Sequence, residues 1–314
     1  MKLGKAFELF VKHILISVGF SDVKSDGLYI FDGAPGQMIQ GLGEAHNADV
    51  LLEPPAQTPF YSCTRLLIEC KDYRKKVGLN TIRSTLGLRE DINNFDIVDV
   101  NRLMARRRQN RAGIVYPYER YTYQVAVASL NGFTVQAQEF AATHRIPLLE
   151  FDKMPFWSDF WMLLGYDNDS IGDSIRGHRI PAVHMTENQI IEFANEIGRR
   201  MAVAVTNSGQ LLFLYRVTGG NNDFSDSYTL HWSNPSHPWE LQSGNQVYLF
   251  QLPKSIMKLW LENSTNDLEL KKEAINCKAG FLSSMIVYYS HHYLPTAKMI
   301  SIDKYDLERA RQNL

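Results

Sequence analysis

The chain reads as an α/β protein continued by a second, α+β domain, on three observations. Its first 155 residues alternate helix and strand patterns, its most apolar strand candidate ends in charged residues, and a stretch rich in aromatics, Gly and Asp separates this half from another run of strands and helices. At the start, Phe7, Phe10, Val11, Ile14, Leu15 and Val18 recur at helical spacing, and Gly19 is placed to stop the helix. Residues 28–31 are a short strand candidate, followed by a glycine- and proline-rich loop, GAPGQMIQGLGEAHN. Strands over 48–52 and 65–71 flank the breaker EPPAQTP, so a long hairpin loop joins them. A helical period through Leu79, Ile82, Leu86 and Ile92 is broken at Gly87 and gives way to the basic run NRLMARRRQNR. YTYQVAVAS over 121–129 predicts a buried strand, FTVQAQEFAATH over 133–144 a helix, and 146–151 a closing strand. The order is helix, three strands, helix, strand, helix, strand.

Residues 1–155 therefore make one domain, 156–178 a linking boundary segment, and 179–314 a second domain whose role is regulatory, targeting or oligomerising. In that second domain the patterns predict helices over 186–200, 254–262 and 267–278, strands over 202–205, 211–217, 228–232, 246–252 and 285–289, and a polar helical end. No motif there carries chemistry. Ser208-Gly209 and Gly219-Gly220 are turn signals without a phosphate-loop pattern, and His178, His184, His231 and His237 lack ligand spacing. The adjacent His291 and His292 cannot both reach one ion from a strand.

A composition of 45% hydrophobic and 21% charged residues is that of a globular protein, and no apolar run approaches the roughly 18 to 20 residues that cross a bilayer. The opening MKLGKAFELFVKH carries Glu8 and Lys12 within its apolar pattern, so it reads as an amphipathic helix, not a secretion signal, and places the protein in the cytoplasm without a membrane partner. Cys63, Cys70 and Cys277 are scattered and odd in number, which argues against a disulfide framework and a cysteine-rich zinc site. The net charge of −1 hides local imbalance: between Arg65 and Arg111 stand 12 Lys/Arg and 6 Asp/Glu, a surplus of +6.

The stretch LLIECKDYRKK carries the chemistry. Alternation along a strand points Glu69 and Lys71 to one face and Cys70 into the opposite layer as a packing residue. If residue 52 or 53 pairs near Arg65, Asp49 lies opposite Glu69, and two carboxylates meet at one end of a hairpin beside a lysine. Such a pair repels unless a cation sits between, and Mg²⁺ suits one or two carboxylates completed by water and phosphate oxygens. Lys71 would then orient or deprotonate the attacking water, or neutralise transition-state charge; phosphodiester hydrolysis needs these parts.

Asp49 followed after a hairpin by Glu69-Cys70-Lys71 resembles the D…(D/E)xK signature of the PD-(D/E)XK nuclease superfamily, and the element order is similar to its restriction-endonuclease-like αβββαβ core. Within it the chain most resembles the Mrr-like restriction endonucleases, through Gly4-x-x-Phe7-Glu8, the turn GLGEAHNAD, the strand ending IECK, and VAVASLNGFTVQAQEFAATHRIPLLE. The turn is longer here than the family's compact Gly-Gly-x-Gly-x-Asp. The resemblance covers residues 1–152 and implies a Mg²⁺-dependent endonuclease, with Mn²⁺ able to substitute, acting on DNA in restriction or defence against foreign DNA. It implies that Asp49 and Glu69 ligate the metal, Lys71 assists the nucleophile, and Glu8 supports the metal site; Glu8 reads equally as a helix-dipole partner.

The basic residues Arg74, Lys75, Lys76, Arg106, Arg107, Arg108 and Arg111 read either as a DNA-phosphate track or as a solvated face. Gln124 is a cleft candidate or an ordinary polar residue satisfied by backbone. A double-strand cut needs two active sites, so a homodimer or higher homo-oligomer is expected. Three rival readings stay open: a catalytically silent nucleic-acid-binding module, an effector nuclease switched on when the second domain receives a protein or ligand, and an RNA substrate.

Overall fold

The structure, a computed structural model, describes residues 1–34, 36–57, 63–95, 121–165, 185–232, 237–254, 256–257 and 266–313. Arg106, Arg107, Arg108 and Arg111 lie outside the described residues, as do His178, His184 and most of the helix expected over 254–262.

The first half is built on a five-stranded sheet in the order β1-β5-β6-β7-β8. Its strands are β1 (Ser21–Asp22), β5 (Val50–Glu53), β6 (Cys63–Lys71), β7 (Tyr121–Ser129) and β8 (Leu148–Leu149). β5 and β6 are antiparallel, whereas β6, β7 and β8 run parallel. Alternation dresses the two faces differently, because both are covered. Leu66, Ile68, Cys70, Ala126 and Ala128 pack under helix α1 (Leu3–Val18); Leu67, Val125 and Val127 pack under α2 (Leu79–Asn94) and α3 (Val135–Thr143). Cys70 is thus a buried packing residue, and the three cysteines are free thiols.

α2 runs unbroken through Gly87, which is exposed with open space around it. A glycine on a solvent face costs about 1 kcal/mol relative to alanine, less than Ile82, Thr85 and Ile92 return by burial. The side chain of Asn93 fastens the helix end by donating to Tyr123 O at 2.9 Å and accepting from Tyr123 N at 2.7 Å. The glycine-rich stretch read as a loop instead carries a small sheet of β2 (Ile30–Gly33), β3 (Gly36–Gln40) and β4 (Ala45–Asn47), seated on buried Ile30 and Ile39.

The second half is a closed seven-stranded barrel, a more specific architecture than the expected α+β arrangement. It comprises β9 (Met201–Thr206), β10 (Leu211–Arg216), β11 (Ser227–His231), β12 (Trp239–Ser243), β13 (Gln246–Phe250), β14 (Ser284–His291) and β15 (Leu294–Ile302). Its order is β10-β13-β12-β11-β15-β14-β9, closed by β9 against β10. β12 and β15 have no counterpart in the sequence reading. The remaining helices among the described residues are α4 (Trp157–Leu163), α5 (Glu187–Gly198), α6 (Asp267–Gly280) and α7 (Lys304–Gln312). Among the described residues no helix is long and apolar enough to cross a membrane.

One core joins the halves. α4, within the segment read as a boundary, buries Trp157, Phe160 and Trp161 against Phe7 and Phe10 of α1, and the same cluster takes in Ile190, Ala194 and Ile197 of α5 and Met201 and Val203 of β9. Phe10 stacks on Phe160 with centroids 4.3 Å apart, and Phe193 stacks against both, 5.9 Å from Phe10 and 6.5 Å from Phe160. α1 and α5 meet closely enough that a Cβ on Gly198 would sit 2.3 Å from Ser17 Cβ, while the Ser17 hydroxyl donates to Asn195 Oδ1 at 2.9 Å. Gly198→Ala should therefore push the two helices apart and lower the unfolding free energy by about 1 to 3 kcal/mol. Urea denaturation measures this; an unchanged midpoint would show that the crossing yields freely.

Candidate active site

The site forms where the β5–β6 hairpin begins. Val50 faces Ile68, Leu51 faces Leu67 and Leu52 faces Leu66, so one more step of this antiparallel register sets Asp49 opposite Glu69. Side chains directly opposite share a face. Asp49 Oδ2 accepts from Cys70 N at 2.9 Å, and Asn47 Nδ2 donates to Asp49 Oδ1 at 2.9 Å, so the carboxylate is held from two sides. Lys71 Nζ donates to Glu69 Oε2 at 2.6 Å.

Burial first, and then the charge of Glu69, push the Asp49 carboxyl up to about 6; the Cys70 N–H and the Lys71 ammonium oppose the rise, and Glu8 adds to it. Burial alone would lower the Lys71 ammonium, but the charge and hydrogen bond of Glu69, with Asp49 behind it, carry it above its ordinary value. Lys71 is therefore a cation in this arrangement, better suited to stabilising negative charge than to removing a proton.

These residues floor an open cleft of about 660 Å³. α2 lines it with Thr81, Ser84, Thr85 and Leu88 at helical spacing, β4 lines it with His46 and Asn47, and Glu44 and Tyr73 complete the lining. The β4 wall is tied to α2 through Asp91. His46 Nε2 lies 2.7 Å from Asp91 Oδ2, and Gly43 N donates to Asp91 Oδ1 at 2.8 Å. The His46 bond, then the Gly43 N–H, hold the Asp91 carboxyl below the usual carboxylate range. Gly41 allows the turn to wrap this carboxylate, since a Cβ there would sit 2.0 Å from Asp91 Oδ2 and 2.7 Å from Glu44 O.

The other candidates fall in different places. Glu8, on α1, pairs with Lys5 at 3.3 Å and reaches Asp49 through its charge, but it does not line the cleft. Arg74, Lys75 and Lys76 are exposed in the connection that leaves β6 directly after Lys71. Gln124 does not face the cleft. It pairs with Leu66 across the parallel β6–β7 register and so belongs to the α1 face, where it borders a different cavity. His46, Asn47, Tyr73 and the α2 hydroxyls were missed. The helical period of 81, 84, 85 and 88 could have flagged the hydroxyl wall, whereas nothing in the sequence joins His46 to Asp91.

Among the described residues no group of three His, Cys, Asp or Glu side chains could hold a metal by itself. The donor set the site does offer is two carboxylates, Asp49 and Glu69, which is the number that Mg²⁺ takes when waters complete its shell. Burial first, and then the charge of Glu69, raise Asp49, and a cation between the two carboxylates would relieve the second of these.

No protein-family model and no curated protein matches the chain. A solved structure of a protein of unknown function, AF1548, is similar over 61% of this chain and 95% of its own, with 13% identity and a TM-score of 0.32. At that score the likeness establishes no shared fold.

The Asp49 environment has a consequence for stability in metal-free buffer. With its ordinary value of 3.8 raised to about 6 in the folded chain, Asp49 keeps a proton that the unfolded chain has released. Its contribution to stability therefore falls as pH rises through that window and stays low above it. Asp49→Asn should gain about 1 to 3 kcal/mol relative to the native chain on going from about pH 4 to about pH 8 in EDTA. Urea denaturation at the two pH values measures the difference; a constant difference would mean that Asp49 titrates normally.

Proposed function

We propose that residues 1–155 are a metal-dependent nuclease domain of the restriction-endonuclease-like type, similar to the Mrr-like enzymes, which hydrolyses DNA phosphodiester bonds in defence against foreign DNA. The observation that carries this reading is the convergence of Asp49, Glu69 and Lys71 on one face of the β5–β6 hairpin, at the floor of an open cleft. The element order supports it: a helix, an antiparallel hairpin, a helix, and two further strands parallel to β6 separated by a helix.

Asp49 and Glu69 would hold Mg²⁺ or Mn²⁺, which supplies Lewis acidity toward a phosphoryl oxygen. Asn47 and the Cys70 N–H fix the Asp49 carboxylate, so its orientation is set before any ligand arrives. With Glu69 engaged by a cation, the Lys71 ammonium that now bonds Glu69 would be free to stabilise negative charge on the phosphoryl oxygens. Arg74, Lys75 and Lys76 leave the site toward solvent, where they can neutralise flanking phosphates and make binding salt-dependent.

One observation favours an effector over a freestanding nuclease: α1, which carries Glu8, shares its core with α5 and the barrel strand β9. A change in the barrel therefore has a packed route to the site.

Supercoiled plasmid incubated with Mg²⁺ should be cut, and EDTA should stop cutting. Glu69→Gln and Lys71→Ala should each lower the rate by at least about 100-fold while leaving DNA binding and folding intact. Full activity in Lys71→Ala would sink the mechanism. Cleavage of single-stranded RNA but not plasmid would move the substrate class, and metal-independent DNA binding without cleavage by the full chain would favour a silent binding module.

A further inference from the structure

A second cavity, of about 320 Å³, lies on the opposite side of the sheet from the cleft, between the first half and the barrel. Phe20 and Leu66 wall it from the sheet side, and Val205, Leu211 and Tyr288 from the barrel. The Phe20 and Tyr288 rings meet edge to face at 5.7 Å. Its size falls at the lower end of small-molecule sites, which run from about 300 to 1,000 Å³ and favour domain junctions.

The polar groups at this cavity are few, and they differ in what they have left to offer. Gln57 is spent: its Nε2 donates to Thr64 O at 3.0 Å and its Oε1 accepts from Thr64 N at 2.7 Å. The Gln124 amide, the Tyr288 hydroxyl and the Arg145 guanidinium have no hydrogen-bond partner among the described residues. Among the described residues no carboxylate lines the cavity, and the exposed Arg145 guanidinium meets only solvent there.

Arg145 is also placed at a cost. It stands just past the end of α3, where Ile146 N donates to Ala141 O at 2.8 Å and Arg145 N to Ala142 O at 3.3 Å. That pair of hydrogen bonds is the helix-ending motif that normally takes glycine, because the residue at its centre must adopt a left-handed backbone. Arg145 has φ 54°. A non-glycine residue is strained in that conformation, and a strained residue whose side chain lines a cavity points to a use for the side chain.

We propose that this cavity binds a small aromatic anion, its ring between the Phe20–Tyr288 pair and the Leu66–Leu211 wall and its acidic group on Arg145, with Gln124 and Tyr288 supplying hydrogen bonds. Aromatic walls select the ring, the lone guanidinium selects the negative charge, and the volume limits the ligand to one or two fused rings. Because both halves contribute walls, the bound ligand fastens the barrel to the sheet. The inference stands apart from the nuclease reading and shares no residue with that cleft.

Naphthalene-1-sulfonate, a planar aromatic sulfonate of two fused rings with its own ultraviolet fluorescence, is the probe. Fluorescence titration of the full chain should show saturable binding of one probe per chain. Arg145→Gly removes the cation and relieves the backbone, so it should keep or raise the melting temperature while weakening the probe at least 10-fold. Val205→Phe, which fills the cavity from the barrel side, should weaken it by the same margin. The proposal is overturned if the native chain binds no probe saturably, or if either folded variant loses less than 10-fold in affinity.

Discussion

The register of β5 against β6 is the constraint on which the rest depends. A slip of one residue would turn Asp49 onto the α1 face and leave Glu69 with no carboxylate opposite. At the far end of the hairpin the charges attract: Arg65 Nε donates to Glu53 Oε1 at 2.9 Å, and the guanidinium lies 3.4 Å from the Tyr121 ring centroid and bonds Tyr123 Oη at 3.2 Å. At the near end Asp49 and Glu69 repel. An attractive end and a buried apolar middle together fix a repulsive end in place, which is how a fold holds two like charges close enough to serve one cation.

The site is not a property of the hairpin alone. α2 supplies a wall of hydroxyls and, through Asp91, clasps the glycine-rich turn that leads into Asp49. α1 closes the opposite face of the sheet and is itself packed on α5, so the floor of the cleft and the wall of the barrel are two sides of one core. The inter-half cavity with Arg145 lies along that joint. An ion cluster at another point of the joint, in which Lys254 meets Glu150 at 3.3 Å and Asp152 at 3.2 Å, adds a polar tie between the same two halves.

What the sequence made legible follows from where apolar residues are continuous. β6 and β7 are near-unbroken apolar runs, since parallel strands are covered on both faces, and they were readable from their own residues. The spacing of Glu69 and Lys71 follows from alternation, and Asp49 from the length of one hairpin. β3 and β4 were hidden because glycine supplies no alternation to read, and β15 because Pro295 and exposed Leu294 and Met299 blur its pattern. The face of Gln124 was out of reach for another reason: β6 and β7 are parallel, no short turn sets their register, and the pairing of Leu66 with Gln124 emerges only when the sheet is assembled. The His46–Asp91 pair joins residues that only the packing of β4 on α2 brings together.

The sharpest measurement is anomalous scattering from Mn²⁺ soaked into crystals of the full chain. A peak in contact with a carboxylate oxygen of both Asp49 and Glu69 is the expected result. A map in which those two side chains diverge, or in which Mn²⁺ orders elsewhere on the chain but not between them, would contradict it.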